Sequence, residues 1–244
     1  MNTGVSDLVD NSVGPCEVKN SDSEKYLGDI ISHDGRNHRN IEARKGKGFG
    51  TNNKIMNMIE DICFGPFTFE VSLTLRESFL ISSILTNSEA WLGVSDSEVE
   101  KLEQVDESLM RRFLEVGQGC PKEMLYLELG CMPIRFTIMI RRILFLHYLL
   151  NEEEESLVNR VLVAQAESPS KNDFIVGVQK DLENLEIYLG LEDIKGLSKE
   201  MLSNFVKKQA KEQALHFLNA QKLKHSKVMH IKHDELIMQD YLRI

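Results

Sequence analysis

The chain is poor in cysteine and has no two cysteines at metal-binding spacing. Its four thiols, Cys16, Cys63, Cys120 and Cys131, are spread over 244 residues and form no CxxC unit. This excludes a sequence-readable zinc site and fits the reduced thiols of an intracellular protein, nuclear or cytoplasmic. Phosphate-cradling glycine motifs are also missing. The glycine-rich "GKGFG" matches neither GxxxxGK[ST] nor GxGxxG, and it follows no strand of a βαβ unit. No apolar run of membrane-spanning length is free of charge. The longest, "PIRFTIMIRRILFLHYLL", carries Arg135, Arg141 and Arg142, so no membrane partner is expected. The opening "MNTGVSDLVD" has neither the basic start nor the apolar block of a secretory signal. Positive charge is in deficit: 29 Lys and Arg against 38 Asp and Glu give a net charge of −9. A surface basic all round is thereby excluded, although a local basic patch is not.

What is present is helical periodicity. Residues 1–24 are polar and read as loop or disordered chain. "KYLGDIIS" reads as strand, and Asp34-Gly35 in "HDGR" as a turn. From Ile41 a helix is expected, with a break near Gly46 to Gly50, because each interior glycine costs about 1 kcal/mol against alanine. Ile55, Ile59 and Ile62 resume one helical face, and Pro66 ends it. A core helix is expected over about Phe69 to Leu92. Ser95 and Glu98 form a capping box for the next helix, closed by Gly117. Pro121 and Gly130 bracket a short helix, and Pro133 starts a long buried one through Leu150. Leu157 to Leu162 mark a shorter helix. Phe174 to Leu189 mark another, and Ser198 caps a last long one.

Catalytic chemistry is not announced. No Ser/His/Asp or Cys/His constellation can be read at a fixed spacing. His225, His230 and His233 with Asp234 are spaced by five and three, which is not the convergent spacing of a zinc site, so no metal site is expected. His147 reads as a hydrogen-bonded core histidine and Trp91, the only tryptophan, as a packing anchor. Arg135 and Arg142 share one helix face and need carboxylate partners or nucleic-acid phosphates; structural pairing is favoured, with Glu123, Glu128 and the "EEEE" run as candidate acids.

The order of these stretches resembles the end of the reverse transcriptase of non-LTR (LINE-type) retrotransposons. "EKYLGDIIS" is similar to the family's last palm motif. "LRESFLISSILTNSEAW", "VEKLEQVDESLMRRFLEV", "CPKEMLYLELGCMPIRFTIMIRRILFLHYLL" and "HSKVMHIKHDELIMQDYL" resemble its helical thumb and the region beyond. The resemblance covers residues 16–244. It implies an all-α helical bundle with a small N-terminal β-hairpin, a remnant of a polymerase palm. The segments would be 1–24, polar chain; 25–36, palm-edge hairpin; 37–168, thumb-like domain; and 169–244, C-terminal helical region.

The resemblance also implies sites and partners. Tyr26, Leu27 and Gly28 would be primer-grip-like, the glycine allowing close approach to the primer. Arg36, Arg39, Arg44, Lys45, Lys47 and Lys54 would contact phosphates of an RNA–DNA hybrid or primer-template, weakly and by shape rather than sequence. Lys207, Lys208, Lys211, Lys222, Lys224 and Lys227 form a second basic stretch. The missing fingers and palm would be a further partner. The full-length family enzyme would use Mg²⁺ held by paired aspartates. This sequence has no Asp-Asp pair, so no catalytic residue, no cofactor and no polymerase activity of its own are expected. Relatives often have tyrosine-glycine where Thr86-Asn87 stands, and small helix formers where "KGKGFG" stands. The alternative class is a helical protein-interaction module or a non-functional relic.

Overall fold

A computed structural model describes residues 11–13, 16–18, 21–26, 28–62, 69–170 and 173–242. The fold is mainly helical with small N-terminal hairpins. Strands β1 (Asn11–Val13) and β2 (Cys16–Val18) pair antiparallel, as do β3 (Ser23–Tyr26) and β4 (Asp29–Ser32). Ten α-helices follow among the described residues. They are α1 (His38–Ile62), α2 (Phe69–Leu75), α3 (Ser82–Ile84), α4 (Asp96–Phe113), α5 (Lys122–Leu129), α6 (Ile134–Leu150), α7 (Leu157–Glu167), α8 (Phe174–Asn184), α9 (Leu191–Gly196) and α10 (Lys199–Lys222).

Two apolar cores share α6. Ile134 and Ile138 face a first core built from α1, α4, Leu80, Ile84 and Trp91. Phe136, Ile140 and Ile143, on the other side of the helix, face a second core made with α5, α8 and α10. A helix apolar on two sides must lie inside, as its sequence indicates. The chain beyond residue 173 packs back on this helix: α8 and α10 both lie against α6, and α10 also against α5.

Several local expectations meet the structure differently. The stretch read as loop contains β1 and β2, since the polar average of residues 1–24 hides two short strands, each ending in a valine. The strand expected over "KYLGDIIS" is divided: the hairpin turns at Gly28, with φ +94°, between β3 and β4. Asp34-Gly35 forms a turn as expected, leading the chain from β4 toward α1, with Gly35 N–H donating to Ser32 O at 3.0 Å. The core helix expected over Phe69 to Leu92 divides. A π-helical turn, Arg76–Ile81, separates α2 from α3, and a 3₁₀ turn, Ser88–Ala90, follows. The capping box at Ser95 and Glu98 forms, but α4 ends at Phe113, four residues before Gly117, with Glu115 in the left-handed region at φ 53°.

The largest difference is that α1 runs unbroken through its three glycines. Packing explains it. A Cβ on Gly48 would stand 2.7 Å from Val105 Cγ1 and 3.0 Å from Ile84 Cγ2, so this glycine lets α1 and α4 approach. Gly46 and Gly50 face open space. The three positions should therefore respond with opposite signs. Gly46→Ala and Gly50→Ala should each stabilise by about 0.5–1 kcal/mol through helix propensity. Gly48→Ala should destabilise, because overpacking of about 1–3 kcal/mol outweighs that gain. Urea denaturation of the three variants checks the order, and stabilisation by all three would refute the close approach.

Candidate nucleic-acid interface

Asp29, directly after the turn glycine, latches the hairpin to the helices. Its carboxylate accepts from Arg44 Nη2, from Asn40 Nδ2 at 2.7 Å and from Asn87 Nδ2. Burial works to raise the Asp29 pKa, but the hydrogen bonds from Asn87, Arg44 and Asn40 outweigh it and hold the carboxyl below its usual value. Ile30 N–H donates to Asn40 Oδ1 at 3.4 Å. Asn87 reaches Asp29 from a left-handed backbone, φ 57°. Asparagine tolerates that conformation, and glycine adopts it freely. Asn87 thus holds the left-handed backbone and supplies an anchor for Asp29.

Arg44 was expected on a phosphate. It is buried instead, donating to Asp29, Asn40 and Ser83 O, with its guanidinium 5.3 Å from the centroid of Trp91. A cation committed to an internal carboxylate and an indole face is not free for a ligand. Lys45 is half-buried and donates to Gln104 Oε1 of α4 at 3.2 Å. Arg36, Arg39, Lys47 and Lys54 are exposed. Arg39, Lys47 and Lys54 are eight and seven residues apart, which puts them within about 80° of one helix face. Ala43, Gly46 and Gly50 lie between them and keep that face low. Arg112 of α4, also exposed, donates to Asn53 Oδ1 beside Lys54 at 2.9 Å.

Tyr26 is exposed at the end of β3, and Gly28 is exposed beside it. Leu27, the third primer-grip-like residue, lies outside the described residues. The second basic stretch belongs to α10 and the chain just after it, on the second core. Lys207, Lys208, Lys211, Lys224 and Lys227 are exposed, while Lys222 is buried and donates to Ile231 O.

The arginines of α6 take other partners than those expected. Arg135 forms a fork with Glu103 of α4 (Nε to Oε1 2.9 Å, Nη2 to Oε2 2.8 Å) and lies over Phe217. Arg142 faces Asp181 of α8, with Nε 3.2 Å from Oδ2. Glu123 and Glu128 serve histidines instead: His225 lies 3.4 Å from Glu123, and His233 lies 3.3 Å from Glu128. His147 is a core histidine, its Nε2 2.9 Å from Leu197 O.

Burial pushes the Cys131 thiol up to about 11, leaving it protonated at neutral pH. No group of three or more His, Cys, Asp or Glu that could hold a metal ion is found among the described residues. The sequence does not single out Asp29 or the buried ion pair of Arg76 with Asp106, whose Nε–Oδ1 and Nη2–Oδ2 distances are both 2.6 Å. Arg76 carries the same signal as Arg135, a charge inside an apolar helix. Asp29 carried no local signal, because its partners lie 11, 15 and 58 residues away.

Compared with known proteins, the chain matches no family model, no curated protein and no solved structure.

Proposed function

We propose that the chain is a palm-edge and thumb portion of a LINE-type reverse transcriptase that binds RNA–DNA hybrid or primer-template nucleic acid without polymerising. The observation that carries this reading is the seat of hairpin β3–β4 on α1 beside a solvent-facing basic strip. Asp29 fixes the hairpin to the start of α1, where Arg36 and Arg39 stand, and Lys47 and Lys54 continue the strip along the helix. Such a strip suits phosphates followed by shape, with small residues allowing the backbone close. Polymerisation needs clustered carboxylates to hold two metal ions, and the sequence has no Asp-Asp pair.

The test is fluorescence anisotropy with a short RNA–DNA hybrid across a salt series. Four exposed cations predict a slope of log K against log salt of about −3 to −4, so affinity falls about a hundredfold between 50 and 200 mM salt. Lys47→Glu/Lys54→Glu should weaken binding and flatten the slope by about two. Absence of binding at low salt by a folded sample would sink the reading. The second reading, a helical protein-interaction module, rests on α7, where Leu157, Val158, Val161 and Val163 are all exposed.

A further inference from the structure

Beyond α10 the chain turns back across α5 as a strap, residues 223–242. Side chains from three segments meet beside that crossing: Lys222 at the end of α10, His233 on the strap and Glu128 on α5. Lys222 Nζ stands 3.3 Å from His233 Nδ1 and also donates to Ile231 O. His233 Nε2 stands 3.3 Å from Glu128 Oε1. The His233 carbonyl accepts from Asn219 Nδ2 of α10 at 3.0 Å.

These partners fix the tautomer of the histidine. An ammonium has donors and no acceptor, so Nδ1 accepts from Lys222 and the ring proton sits on Nε2. From there it donates to the Glu128 carboxylate. A second ring proton, on Nδ1, would point at the Lys222 ammonium, donor against donor and cation against cation. The His233 side chain is only 2% exposed, so water screens that contact little. Asp234, exposed on the strap, is the other charged neighbour. Burial holds the ring below its ordinary pKa of 6.5 and Lys222 adds to this, together outweighing Glu128 and Asp234, which favour the charged form.

We propose that His233 is an acid-released latch: protonating its ring breaks the Lys222 contact and frees the strap from α5. The sign follows from linkage. A ring harder to protonate closed than open holds the strap fully above its open-state pKa and loses hold as pH falls below it. With the ordinary value of 6.5 when open, the opening constant can rise by at most about tenfold at pH 5.5. Release uncovers Leu236 and Met238, which the closed strap buries. The latch is independent of nucleic-acid binding by α1.

The test is amide hydrogen exchange of the full chain between about pH 7.5 and pH 5.5, each rate divided by the intrinsic rate at that pH. Gln239, whose N–H donates to Glu128 O, reports the strap, and Ile143 in the core of α6 reports global opening. The opening constant at Gln239 should rise about three- to tenfold across that range, with no matching rise at Ile143. His233→Gln should abolish the rise, because its amide can accept from Lys222 and donate to Glu128 but does not titrate. His225→Gln should leave it, although His225 also lies on the strap, 3.4 Å from Glu123. An NMR titration of the His233 ring in the unaltered chain is the second readout, expected below the ordinary 6.5. A pH-independent opening constant would overturn the proposal. So would an equal rise in His233→Gln, a rise lost in His225→Gln, or a His233 ring titrating at or above its ordinary value.

Discussion

Arg76→Met destabilises the chain by about 3–5 kcal/mol, whereas Arg76→Met/Asp106→Leu recovers most of that loss. Arg76 sits in the π-helical turn and is 2% exposed; Asp106, on α4, is fully buried. The two form a fork, Nε to Oδ1 and Nη2 to Oδ2 both at 2.6 Å, and Nη1 also pairs with Glu77. Burial disfavours the Arg76 charge, and Asp106 more than restores it, so the arginine stays protonated. Removing the arginine strands a carboxylate in an interior that also holds the Tyr126 hydroxyl, which has no hydrogen-bond partner. Removing both charges leaves apolar groups of similar volume, a change that is often neutral or better. Chemical denaturation of wild type, both single variants and the double variant gives the coupling directly. A single-variant loss below about 1 kcal/mol, the range of exposed pairs, would show that the pair is solvated and not a buried brace.

Gly130→Ala releases the C-terminal strap from α5. Gly130 ends α5 in the left-handed region, φ 64°, and the chain near Met238 crosses directly over it. A Cβ there would lie 2.2 Å from both Ile237 C and Met238 N. Those are backbone atoms, so no rotamer change relieves the overlap. The strap is tied by the Leu129–Met238 bridge and by Gln239 N–H donating to Glu128 O at 3.0 Å. It buries Leu236 and Met238. Losing those contacts together with the left-handed penalty should cost about 3–5 kcal/mol. Amide exchange at Gln239 should rise to that of an open chain. Gly117→Ala, where a Cβ meets nothing within 4 Å, is the control and should change stability by less than about 0.5 kcal/mol. Continued protection at Gln239 in Gly130→Ala would mean that the strap does not cross there.

The helices were legible where their signals were local. Ser198 caps α10 by accepting from Met201 N–H at 3.2 Å, and Glu98 accepts from Ser95 N–H at 2.9 Å. Pro121, Gly130 and Pro133 stand at the helix boundaries read from them. Each of these signals acts within about four residues, the span of a helical turn. Of the candidate phosphate-contact residues, Arg36, Arg39, Lys47 and Lys54 are exposed. Arg44, equally basic, is not. Its immediate neighbours in the chain do not distinguish it, because what buries it is Asp29, 15 residues earlier, and the ring of Trp91, 47 residues later.

By itself the sequence determined the helical class, the capped boundaries, the acidic balance and the want of paired aspartates. All of these are properties of composition or of residues within a turn of one another. Only the tertiary structure decided which charges meet: Arg76 with Asp106, Arg135 with Glu103 and Arg44 with Asp29. It alone also decided that Gly48 is a contact and not a break. Buried ion pairs and close helix crossings depend on where the fold brings distant segments together. A guanidinium meets any carboxylate with the same chemistry, so the choice among many is made by packing.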